Sequence, residues 1–219
     1  MANHGYINRD GKNLRAKDVS RGLQHCYNLS PFLAAFLSYG GFLAITGSFW
    51  KKIDLYGIGK HNRVEHDASL VHYDTPEGQE FAPIQIDHAL VDKLIEDVRP
   101  SPQEVEAMKA TPSGSDVRCL MNAEDVARAR IRRENECRTL KSIQQNTARG
   151  EMAIILGVFE VKTASKTGVP VEWMKRWIGE ERLPEGWKPT HVQGIFDVIK
   201  RNKSILAAIE KLRAEEAKA

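Results

Sequence analysis

The most apolar stretch of the chain, "YNLSPFLAAFLSYGGFLAITG" at 27–47, is interrupted by Ser38, Tyr39, Gly40 and Gly41. A membrane span needs about 20 apolar residues without such breaks, so the pattern predicts a buried helix at the centre of a helical fold. Ser30 is placed as its N-cap and Pro31 as its first residue, where a missing N–H costs nothing. Apolar residues recur at three and four over Asp87–Val98, Ala123–Leu140, Arg149–Val161, Val171–Glu181 and His191–Arg213. Between these segments, "TPEGQEFAP", "RPSPQE" and "ATPSGSD" have the Pro, Gly and Ser content of loops. Only "FAPIQI" has strand character. No repeat or linker divides the chain, which is expected to be one all-α domain over 1–219 with roughly seven to nine helices.

Composition changes this picture little. Among 219 residues, 42% are hydrophobic and 28% charged, as in ordinary globular proteins. The net charge of +3 gives no overall field that calls for nucleic acid or a membrane as partner. The run "ARARIRRE" lies beside Glu124, Asp125, Glu134 and Glu136 and reads as a solvated helix face. Cys26, Cys119 and Cys137 are too scattered for a disulfide framework and form no CxxC pair. The start, "MANHGYINRDGKN", has no signal-peptide core, so a cytoplasmic protein is expected, or a secreted one if the N-terminus has been trimmed.

Chemistry enters at "NRVEHDASLVHYD", residues 62–74, where Glu65, His66 and Asp67 are adjacent. Such a triplet can be loop polarity, yet an imidazole between carboxylates can also move a proton near neutral pH. Glu151 opens the otherwise apolar "GEMAIILGVFEV". It either complements a helix N-terminus or points into an apolar cavity as a general acid or base. His61, Glu65, His66 and His72 do not match a zinc spacing, and "GIGKHN" is neither a P-loop nor a dinucleotide fingerprint. No GxSxG elbow occurs.

"ANHGYINRDGKN", "VEHDASLVHYD", "RRENE", "GEMAIIL" and "ERLPEGW" follow one another in an order that resembles the fungal heme-haloperoxidases, the family of chloroperoxidase and the unspecific peroxygenases. The resemblance implies a helical heme-haloperoxidase-like fold and a small apolar organic substrate. It implies that Glu65, the His66 carbonyl and Ser69 hold a divalent cation, Mg or Mn, against a heme propionate. It also implies that Glu151 is the acid–base carboxylate that cleaves peroxide, with His66, held by Asp67, as its partner. In one respect the chain departs from the family. The Pro-Cys-Pro motif that supplies the proximal thiolate stands before the Ala-Asn-His-Gly-Tyr stretch in the family, whereas here Met1 directly precedes Ala2. His4 is the substitute ligand to consider, and the three cysteines are expected to be small buried residues.

Three functions follow as expectations: a heme peroxidase or peroxygenase, a heme-free acid–base enzyme (dehydratase, isomerase or cyclase) acting on an apolar secondary metabolite, and a binding protein that uses the pocket without catalysis.

Overall fold

The computed structural model describes residues 1–110, 119–138, 140–164 and 166–218. Most helix starts can be read from single side chains. Helix α1, Ala16–Tyr27, begins where the Asp18 carboxylate accepts from Arg15 N at 3.1 Å. Helix α2, Pro31–Thr46, is capped by Ser30, whose Oγ accepts from Leu33 N at 3.3 Å. Asp87 caps α3, His88–Glu96, through Leu90 N at 2.8 Å. After α4, Pro102–Ala110, the strand β1, Leu120–Met121, leads into α5, Ala123–Glu136. There Asn122 and Asp125 bond each other's backbone N–H reciprocally, a capping box. Helix α6 is Ser142–Phe159. Strands β2, Val161–Lys162, and β3, Thr167–Pro170, precede the short α7, Val171–Met174, and a π-helical turn, Lys175–Gly179. Helix α8, Ile195–Glu216, completes the chain.

Helix α8 packs on α5 and α6, while α1 and α2 pack on each other as a hairpin. The main core draws Leu33 from α2, Leu94 from α3, Val126 from α5, Leu156 and Phe159 from α6, and Ile205 from α8. Tyr27, Phe159, Trp177 and Trp187 stack edge-on or tilted within it, with Trp177 Nε1 donating to Tyr27 Oη at 3.1 Å. Strand β3 lies between β1 and β2 in an antiparallel sheet, with Met121 opposite Val169 and Val161 opposite Gly168. A side chain at Gly168 would overlap the Met121 carbonyl, so the close pairing requires glycine.

The all-α expectation holds, with eight α-helices among the described residues. Several boundaries differ. The helix expected from Arg149 starts at Ser142, because its first two turns are mostly polar and carry no apolar period. The one expected over Ala123–Leu140 ends at Glu136, and Val171–Glu181 is a single α-helical turn followed by the π-turn. "FAPIQI" is not a strand; it makes one isolated bridge, Lys60 to Phe81. Helix α1 was missed because its buried face is built from Ala16, Ser20, Gly22 and Cys26, small residues that give little hydrophobic signal. Most of "ATPSGSD" lies outside the described residues.

The largest correction concerns α2. Only Leu33, Ala34, Ser38 and Phe42 are fully buried, whereas Phe32, Phe36, Gly40, Leu43 and Ala44 are exposed. The helix is apolar all round but is covered on one side.

Candidate active site

The 62–74 stretch is a loop that follows the 3₁₀ turn Leu55–Gly59, and α5 holds it in place. Arg130, only 2% exposed, donates from Nη1 to the Ala68 carbonyl at 2.7 Å and from Nη2 to Glu134 at 3.1 Å. Arg133, 4% exposed, donates to the Ser69 carbonyl at 2.8 Å and to Asp74 at 2.8 Å. Asp74 in turn accepts from Ala68 N at 2.9 Å. Ala68 has φ 62°, a left-handed conformation costly for a residue with a Cβ, and it sits between these two arginine contacts. "ARARIRRE" is therefore not a solvated face at Arg130 and Arg133. Burying a guanidinium is costly unless it is paired, and here the loop carbonyls, with Glu134 and Asp74, take the terminal nitrogens of Arg130 and Nε and Nη2 of Arg133.

The turn fixes His66, which is buried, with Nδ1 2.7 Å from the Asp67 carbonyl. That carbonyl only accepts, so Nδ1 carries the hydrogen and Nε2 is left facing outward. Opposite it is Glu151, with Oε2 3.6 Å from Nε2, an ion-pair separation slightly longer than a direct hydrogen bond. Glu151 is the tenth of the 18 residues of α6, which removes the helix-terminus role considered from sequence. With Ala148, Met152 and Ile155 it forms one face at i, i+3, i+4 and i+7 spacing, and that face lines a cavity of about 670 Å³. A neighbouring cavity of about 350 Å³ is also lined by His66, Ser69, His72 and Glu151. Glu151 is 50% exposed, so the apolar enclosure expected for it is incomplete.

Burial by itself would lower the His66 pKa, but the contact and charge of Glu151 and the Asp67 carbonyl outweigh it and raise the value above 6.5. The paired state is therefore complete below the ordinary histidine range and is lost as pH rises through the raised value. Replacing Glu151 by Gln removes the charge and leaves burial, so His66 should titrate lower. Imidazole proton shifts followed by NMR against pH measure this, and an unchanged titration would show that Glu151 does not set it.

The expected site residues come together only in part. Glu65, His66, Ser69 and Glu151 share the smaller cavity. Asp67 holds the imidazole through its backbone carbonyl, while its carboxylate accepts from Thr75 N at 3.2 Å. The Glu65 carboxylate lies 2.8 Å from His61 Nδ1, and burial raises its pKa. Donor atoms of His61, Glu65 and Asp67 lie within 4.8 Å of one another, a set able to take a cation. Ser69 Oγ already accepts from the backbone N–H of Val71 and His72 at 3.3 and 3.2 Å. His4 does not line the large cavity; its Nε2 accepts from Leu183 N at 3.0 Å. None of the three cysteines lines it either: Cys26 is buried elsewhere, and burial with the Asp74 contact pushes the Cys137 thiol up to about 12.

Sequence reasoning missed Arg130 and Arg133, and set His61 aside because its spacing matched no zinc motif. The signal for the arginines was their position among the apolar residues of α5, Val126, Ala127, Ala129 and Ile131, which places them on the buried side. A protein-family model described as Peroxidase, family 2, matches residues 1–192. Comparison with curated proteins gives no match.

Proposed function

Because the chain belongs to peroxidase family 2, we propose that it is a peroxide-dependent oxidoreductase of small apolar organic substrates in which Glu151 and His66 manage the peroxide proton. The observation that carries this reading is the 3.6 Å approach of His66 Nε2 to Glu151 Oε2 at the wall of the large cavity. Heterolysis of a peroxide needs one group to take a proton from one oxygen and deliver it to the departing oxygen. Glu151 Oε2 does both. His66, its Nδ1 committed to the Asp67 carbonyl, holds Nε2 where the proton can rest between the two transfers.

Heme, when bound, supplies the redox chemistry. The lining suits the body of a porphyrin: Ile7, Leu70, Val71, Leu94 and Met152 give apolar walls, and Arg9, Lys12 and Arg130 give cations for carboxylates. Arg130 Nε is buried without a partner, a donor that suits an acceptor entering the cavity. Glu65, with the His66 carbonyl and Ser69 as the resemblance implies, or with His61 and Asp67 as the donor cluster favours, would hold Mg or Mn.

One observation favours a second reading, heme-free acid–base chemistry by a dehydratase, isomerase or cyclase: among the described residues no cysteine faces the cavity. The absorption spectrum of protein produced with heme supply, together with peroxide-dependent turnover, separates the two. The proposal expects a Soret band and peroxide dependence, without the red-shifted carbonyl band of thiolate ligation in this chain. Absence of heme, with His66-dependent turnover of an apolar compound, overturns it in favour of the second reading. A thiolate band would instead require one of Cys26, Cys119 and Cys137 to reach the iron, and single alanine variants would identify it.

A further inference from the structure

The hairpin of α1 and α2, with the segment that follows it, presents exposed apolar side chains together with exposed cations. The outward stripe of α2 contains Phe32, Phe36, Leu43 and Ala44 and no polar side chain. It ends near Trp50, the most exposed large apolar residue among those described at 86%, with Phe32 next on this hairpin at 68%. The outward stripe of α1 is instead basic: Lys17, Arg21 and His25 recur every four residues. Lys51 and Lys52, also exposed, follow Trp50 directly. Residues 15–52 hold five of the 32 Lys and Arg but one of the 29 Asp and Glu, leaving 27 against 28 in the rest of the chain. That single acid, Asp18, is committed to the start of α1.

We propose that this hairpin docks on an anionic lipid surface. Exposed aromatic and aliphatic side chains beside unneutralised cations are the pattern of an element lying in the membrane interface, apolar face down, with lysines at the headgroups. Among the described residues no helix is long and apolar enough to cross a membrane. The 16 residues of α2 extend about 24 Å, short of a hydrocarbon core of about 30 Å, and α1 covers one side of the helix, so it lies in the plane. A second copy of this chain is the poorer occupant, because it would set the same basic stripes against each other. The inference is independent of the chemistry assigned to the cavity.

Co-sedimentation of the full chain with phosphatidylcholine vesicles, with and without phosphatidylserine, tests it. Binding is expected only with phosphatidylserine and should weaken as salt rises. Lys51→Ala and Lys52→Ala should each lower the partition coefficient about fivefold, and Phe36→Ser about tenfold or more. All three positions are exposed, so circular dichroism should show an unchanged fold. Absence of binding to anionic vesicles at low salt overturns the proposal. So does binding that ignores these substitutions, or a concentration-dependent dimer, lost in Phe36→Ser, that forms without vesicle binding.

Discussion

Glu151→Gln should lower turnover by roughly two to four orders of magnitude while leaving folding almost untouched. The side chain is half exposed, lies in the middle of α6, and among the described residues its ion pair is with His66, so little stability depends on its charge. Glutamine keeps the length and planarity and removes the carboxylate to which the proposed function assigns both proton transfers. The loss should fall on kcat, with substrate affinity kept, because the apolar lining is unchanged. His66→Gln should cost a comparable factor, and the double variant little more than either alone, since two groups that handle one proton act as a unit. Steady-state kinetics with a thermal melt on each variant checks this. Wild-type turnover in Glu151→Gln would remove Glu151 from the chemistry, and additive losses would separate the two residues.

That pair shows what the sequence could and could not reveal. Glu151 and His66 are far apart in the chain, and nothing in local pattern brings them together; the motif order did so through the family resemblance. Part of the face of α6 was legible, since Met152 and Ile155 accompany Glu151 within the expected helix, while Ala148 lies before its expected start. The start of that helix was not, because its first turns are mostly polar and lack an apolar period. The arginines of α5 were misjudged for a physical reason. Charge in sequence predicts exposure, but Arg130 and Arg133 are buried against backbone carbonyls of a loop more than 60 positions away, a partner that local periodicity does not contain. The α2 stripe failed in the opposite sense. Its apolarity predicted burial, while its neighbours cover one side alone. A net charge of +3 likewise concealed that the positive charge is concentrated around that stripe.

The same misjudged arginine carries the second large expectation. Arg130→Met should destabilise the protein by about 3 kcal/mol, because it removes two charge-assisted hydrogen bonds from a buried position while keeping most of the side-chain volume. Glu134 retains Arg213 at 2.9 Å, which limits the loss to the lower end of what breaking a buried pair costs. For a chain of this length the melting temperature should fall by roughly 6–12 °C. Arg213→Met removes the other partner of Glu134 from a half-exposed position and should cost less than about 1 kcal/mol. The difference isolates the contact that Arg213 does not make, the one to the Ala68 carbonyl. Without it the left-handed turn at Ala68 loses one of the contacts that hold it, and His66, two residues earlier, loses its fixed approach to Glu151. Turnover should therefore drop in Arg130→Met even well below its melting temperature, with the His66 imidazole shifts changed. Equal melting of the two variants, or wild-type turnover in folded Arg130→Met, would show that the loop holds its geometry without the clamp.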